Sequence, residues 1–91
     1  MRHGVVTGKS VEEQTRVALE NLAAVLAGAG AGFSDVVRCG VFLANMADFQ
    51  AMNSVYSEFF PAPPPARTTV GAALAGFLVE IDCVAVVPSE S

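Results

Sequence analysis

Arg67, Glu80 and Asp82 are the only charged residues in PAPPPARTTVGAALAGFLVEIDCVAVV, positions 61–87 of the chain. A guanidinium holds a carboxylate through two parallel hydrogen bonds, a geometry that lysine matches less specifically. A carboxylate on a partly covered sheet face loses hydration. That loss raises its pKa unless a cation or hydrogen bonds compensate, and it suits general-base work near neutral pH. Together the three residues are equipped to orient a small acid and activate a water. The same pattern also describes an ion-pair cluster or a solvated sheet face, so residue types alone leave both readings open. Asn53 is a further candidate, because it falls on or beside an apolar helical stripe, where an amide needs partners. It reads either as a helix-packing hydrogen bonder or as a site residue. Tyr56 next to it reads first as core, and His3 as a mobile terminal residue.

These residues depend on elements whose signals are local. Ser10 and Glu13 open SVEEQTRVALENLAAVLAGAG with the reciprocal pairing that satisfies free N–H groups at a helix start. Val11, Ala18, Leu19, Leu22, Val25 and Leu26 then recur at helical spacing, and Gly28, Gly30 and Gly32 end the run. Positions 36–43 are rich in β-branched and apolar residues between turn formers, which predicts a strand. A second amphipathic helix comes next, with Phe49, Met52, Tyr56, Phe59 and Phe60 on its stripe and Asn45 or Asp48 as its cap. The prolines at 61 and 63–65 stop that helix and stiffen the connection to the next strand.

Positions 67–74 and 77–87 read as two strands turning at Ala75-Gly76, and an extended piece is expected at 4–7. If the turn makes a hairpin, Gly71 opposes Glu80, Thr69 opposes Asp82 and Arg67 opposes Val84. Arg67, Glu80 and Asp82 then share one sheet face, while Val79, Ile81, Cys83, Ala85 and Val87 share the face beneath the helices. The order is that of an α+β fold, an open β-sheet with two helices packed on one face.

Composition limits what such a domain does. At 91 residues the chain makes one domain, 1–91, with a modest core. It is 53% hydrophobic and 15% charged, against about 25% charged in ordinary globular domains, so part of the apolar surface is expected to meet another subunit. A net charge of -4 with five basic residues argues against nucleic acid, whose phosphates require a clustered basic footprint. There is no membrane-length apolar run and no signal-peptide core, so the default compartment is cytoplasmic. One histidine and two scattered cysteines give no zinc spacing. Cys39 and Cys83 sit in apolar stretches, as structural thiols do, with a disulfide between them left open.

Four blocks, SVEEQTRVALENLAAVLAGAG, DFQAMNSVYSEFF, PARTTVG and VEIDCVAVV, occur in one order over positions 5–87. In them the chain resembles the reactive intermediate deaminases, the YjgF-like enamine/imine deaminase family. The resemblance implies a chorismate-mutase-like fold in a homotrimer, a barrel of inward-turned sheets with pockets between subunits. It implies hydrolysis of imines such as 2-iminopropionate, formed from 2-aminoacrylate, to 2-oxo acids and ammonia, with no metal or organic cofactor. By position, Arg67 matches the arginine that holds the substrate carboxylate, and Glu80 the acid that positions or activates water. Asn53 matches a pocket asparagine, Tyr56 lies near it, and Thr69 stands where many members carry cysteine. The family usually opens with a β-hairpin before the first helix, so the chain is expected to be N-terminally short. The turn between Arg67 and Glu80 is also two residues shorter than is common, an even change that keeps Glu80 on its face. The alternative reading is a catalytically inactive relative that binds a small carboxylate metabolite or a protein partner. A translation-inhibiting endoribonuclease ranks behind both, since the chain is acidic.

Overall fold

A computed structural model describes residues 10–62 and 64–87. The extended piece expected at 4–7, and His3, lie outside them. The first helix, α1 (Val11–Gly28), starts as its sequence dictates. Ser10 caps it, its hydroxyl accepting the Glu13 N–H at 3.1 Å while the Glu13 carboxylate accepts the Ser10 N–H at 3.2 Å. The helix closes with N–H groups of Gly30 and Ala31 donating back to Ala27 and Leu26. Gly30 adopts φ +80°, the left-handed conformation that a side chain would strain. Thr15, buried among apolar neighbours, donates its hydroxyl to the Val11 carbonyl at 2.6 Å, so no polar group is stranded there.

The strand β1 (Val36–Leu43) forms where its composition predicts, and its helix-facing residues Cys39, Val41 and Leu43 are completely buried. A short 3-10 turn (Met46–Asp48) comes after it, with the Asn45 side chain accepting the Ala47 N–H at 2.9 Å. It leads into α2 (Phe49–Phe59), which ends ahead of the proline segment. Asn45 thus caps the 3-10 turn, and Asp48 occupies the α2 cap position without a side-chain hydrogen bond. The strands β2 (Ala66–Gly71) and β3 (Val79–Ala85) complete the domain. Both helices lie against one face of the sheet, where Leu19, Met52, Tyr56, Val41 and Ile81 belong to one core. Gln14 of α1 also accepts the Leu78 N–H at 2.8 Å, fastening the entry to β3 under the helix layer.

The sheet order is β2-β1-β3, which corrects the hairpin expected between positions 67–74 and 77–87. β2 runs parallel to β1, with Cys39 beside Arg67 and Val41 beside Thr69. β3 runs antiparallel on the other side, with Cys39 beside Cys83, Gly40 beside Asp82 and Phe42 beside Glu80. A parallel neighbour needs a long crossover, and α2 supplies it. The turn at Gly76 exists, with φ +84°, but residues 72–78 cross the end of β1 instead of folding β3 back on β2. Hydrogen bonds from Ala72 to Leu43 and from Ala44 to Leu78 hold that crossing.

On the open face Asp82 lies across Gly40, accepting its N–H at 3.1 Å. A Cβ at Gly40 would come within 2.6 Å of the Asp82 Oδ1. Gly40→Ala is therefore expected to lower stability by about 1–2 kcal/mol through loss of this charge-assisted bond. Urea unfolding would measure it. In an Asp82→Ala background the same change should cost much less, because the group it displaces is already gone.

Candidate functional site

Helix and strand bring Asn53, Tyr56 and Arg67 together. Phe49, Asn53 and Tyr56 are spaced by four and three residues along α2, so they share the helix surface that faces β2. Arg67, the second residue of β2, points to the helix side of the sheet, as does its neighbour in the pairing, Cys39. Its Nη1 donates to the Asn53 Oδ1 at 2.6 Å. Its Cζ lies 4.6 Å from the Tyr56 ring centroid and 5.4 Å from that of Phe49. The two ring faces attract the guanidinium while shielding it from water. No carboxylate among the described residues forms an ion pair with it; the pair present there joins Arg16 to Glu58 at 3.0 Å on the surface. The cation is half-buried, has neutral partners, and keeps donors to spare.

Beside it is a cavity of about 430 Å³, lined by Asn53, Tyr56, Phe60, Pro64, Pro65 and Arg67 among others. The proline segment therefore forms one wall of the site as well as stiffening the connection. Tyr56 stacks on Phe60 with centroids 4.5 Å apart, and Phe33 meets Phe60 edge-on at 4.9 Å. This aromatic group fixes the floor on which Arg67 rests.

Two hydroxyls on the same side of the sheet, those of Tyr56 and Thr69, are buried without a hydrogen-bond partner. The Cys39 thiol lies near the Tyr56 hydroxyl, close enough to affect its ionisation but without hydrogen-bond geometry. Burial is the main cause that pushes the Tyr56 phenol well above its ordinary range, with Cys39 adding to it. Tyr56 is thus a proton-bearing phenol across the physiological range. Burial likewise raises the Cys39 and Cys83 thiols.

Glu80 and Asp82 stand elsewhere. Glu80 pairs with Phe42 and Asp82 with Gly40, on the face opposite the helices, and both acids are exposed. Arg67 is in phase with Cys83, one residue away from the register that would set it beside Val84 on the acids' face. The expectation that Arg67, Glu80 and Asp82 share one face is therefore corrected. The structure groups Arg67 with Asn53 and Tyr56, sets Thr69 farther along β2 on the same face, and separates Glu80 from all four. Phe49 and the proline wall were missed as site residues. Phe49 was legible only as part of the apolar stripe, since nothing local marks which aromatic ring meets the cation.

The model of the family described as Endoribonuclease L-PSP matches residues 1–87. The chain belongs to this family, that of the YjgF-like proteins. Among solved family members, one of the YjgF protein family from Neisseria meningitidis superposes with a TM-score of 0.88 at 32% identity, covering 91% of this chain and 72% of that one. The α+β architecture with two helices on a three-stranded mixed sheet is thus the YjgF fold over the matched part. The Reactive Intermediate Deaminase A, chloroplastic, of Arabidopsis thaliana is 42% identical over 84 residues, which is 90% of this chain and 45% of the relative. A protein of Dermatophagoides farinae named 2-iminobutanoate/2-iminopropanoate deaminase is 45% identical over 69 residues, 76% of this chain and 53% of the relative. The YjgF-like chain thus spans about half the length of these two relatives.

The buried phenol and thiols make a pH prediction with a definite sign. A raised folded-state pKa contributes stability that is complete below the unfolded value and is lost as pH rises through the folded one. Stability should fall from about pH 8.5 as unfolded thiols ionise, and more steeply above about pH 10 as unfolded tyrosine does. Urea midpoints across alkaline pH measure the slope. Tyr56 is the chain's single tyrosine, with no tryptophan to overlap it, so phenolate absorbance should appear together with unfolding and not before it.

Proposed function

We propose that the chain hydrolyses small 2-imino acids to 2-oxo acids and ammonia, with Arg67 holding the substrate carboxylate. The observation that carries this reading is the Arg67 guanidinium, seated on Asn53 and the Tyr56 ring at the cavity without a carboxylate partner among the described residues. The cavity suits a small acid, and the deaminase names of two relatives supply the reaction class. A carboxylate forked by Arg67 sets the adjoining imine carbon in the cavity beside Tyr56, whose hydroxyl has no hydrogen-bond partner. A protonated phenol there is a donor for the imine nitrogen or a holder of water. Water adds to the C=N carbon, and the resulting carbinolamine expels ammonia to leave the C=O group of the 2-oxo acid. This chemistry requires neither a metal nor an organic cofactor.

Glu80 is the base of this reading, but it lies on the other side of its own sheet. The reading therefore puts Glu80 of one copy near Arg67 of another, in a homotrimer whose open sheet faces turn inward. The exposed Val70, beside Phe42, and Val84, beside Arg38, lie on that face and favour burial by association. Among the described residues no helix is long and apolar enough to cross a membrane. The cytoplasm belongs to the proposal as the default compartment, although family members named chloroplastic and mitochondrial occur. The same opposite-face placement favours the rival, an inactive relative that only binds a carboxylate, if copies do not associate. The acidic net charge of -4 disfavours RNA as substrate despite the family's description.

Ammonia release from 2-aminoacrylate generated in situ tests the reading against spontaneous hydrolysis. Arg67→Ala should lose about 10- to 100-fold in kcat/KM through the missing charge-assisted fork, and Glu80→Gln about 100-fold in kcat. No acceleration by a folded trimer would leave the binding reading. Mixing the two inactive variants under subunit exchange should restore up to about a quarter of the wild-type rate if each site draws Arg67 and Glu80 from different copies of a cyclic trimer. A light-scattering mass of one chain would remove the shared site.

A further inference from the structure

We propose that Cys39 and Cys83 are a cross-strand dithiol that a hydroperoxide converts reversibly to an intramolecular disulfide. The two cysteines are direct partners in the β1–β3 pairing and point to the helix side of the sheet. Both are free thiols, Cys39 fully buried and Cys83 partly exposed.

The ladder determines the kind of pair they form. The Ala44 N–H donates to the Leu78 carbonyl at 3.0 Å, which makes Ala44 and Leu78 a hydrogen-bonded pair. Antiparallel pairs alternate, so Phe42 with Glu80 and Gly40 with Asp82 are also of that kind. Leu43 with Val79, Val41 with Ile81 and Cys39 with Cys83 are the non-hydrogen-bonded kind. In such a pair the Cα atoms stand about 4.5 Å apart and the side chains are closest. A disulfide accepts Cα separations of about 4.4–6.8 Å with Cβ atoms about 3.5–4.5 Å apart. The Cα separation thus already suits a bridge, and only a small adjustment remains to bring the Cβ atoms together. β3 can supply it, because it is an edge strand among the described residues and has no strand on its outer side to hold it.

The chemistry balances with the hydroperoxide as oxidant. The more accessible Cys83 sulfur attacks the terminal peroxide oxygen, the O–O bond breaks, and the alcohol leaves with a proton, giving a sulfenic acid. The Cys39 sulfur then attacks the Cys83 sulfur; the S–S bond forms and the S–O bond breaks. Hydroxide departs with the Cys39 proton as water. Both thiols are oxidised, the peroxide is reduced to alcohol and water, and a dithiol reductant reverses the bridge. Burial raises both thiols, so the first step is slower than at an exposed thiol. The bridge also has a local consequence. Arg67, Cys39 and Cys83 form one row across the sheet, and joining the sulfurs draws the Cys39 side chain toward Cys83 and away from Tyr56, whose ring lies under the guanidinium.

The test is to treat the folded chain with hydrogen peroxide, quench, denature, alkylate, and read intact mass with peptide mapping. The expected product is a monomer that has lost both thiol hydrogens, carries a Cys39–Cys83 linked peptide, and regains both thiols with dithiothreitol. Cys83→Ala should leave Cys39 alkylatable after the same exposure, since no accessible sulfur begins the reaction. Three results would each overturn the proposal: sulfinic acid at Cys83 with Cys39 still alkylatable, a disulfide between chains, or both thiols surviving a dose that oxidises the same chain in urea.

Discussion

Everything in this domain is arranged around β1, the one strand paired on both edges among the described residues. Its helix-facing side chains Cys39, Val41 and Leu43 are fully buried, and its backbone N–H and C=O groups have a strand on either side to bond. The most apolar strand takes the central place because, among the described residues, both of its edges are covered and one face is packed beneath helices. Once β1 is central, the crossover through α2 delivers β2 parallel on one side, and the loop over its end delivers β3 antiparallel on the other. The row that holds Arg67, Cys39 and Cys83 is a direct product of that arrangement.

The same constraint accounts for the electrostatics of the site. A guanidinium on the covered face of an edge strand is partly removed from water, and it needs hydrogen bonds and polarisable surface in return. α2 provides both, through Asn53 and through the rings of Tyr56 and Phe49. Neutral partners hold the side chain in place without cancelling its charge, so an incoming carboxylate meets a positioned cation. Had Glu80 shared that face, the two residues would have paired and the cation would have been satisfied before any ligand arrived. The placement of Glu80 on the other face leaves the guanidinium without a carboxylate partner among the described residues.

The opposite face has a different character. Phe42, Val70 and Val84 lie there with Glu80, Asp82, Arg38 and Thr68, and Asp82 is committed to the Gly40 N–H. These apolar side chains on the open face add to the 53% hydrophobic content of so short a chain.

Local signals in the sequence were sufficient to place both α-helices and the three described strands, though not the two 3-10 turns, and the last two strands end sooner than 74 and 87. The capping box at Ser10 and Glu13, the β-branched run at 36–43, the Asn53 position on the α2 stripe and the turn glycine at 76 were all legible. Each depends on contacts a few residues apart, so spacing alone specifies it. The family blocks added Thr69 and the roles expected of the other candidates. Tertiary structure alone decided which strands pair. Alternation fixes the faces within each strand, but the phase of one strand relative to another is set by the neighbour they share. Arg67 aligns with Cys39, and Cys39 with Cys83. That register differs by one residue from a direct β2–β3 hairpin, and a one-residue difference turns every side chain to the other face. It put the arginine with the helices and the carboxylates on the open side, a result that rests on long-range hydrogen bonding and burial that no short window of sequence contains.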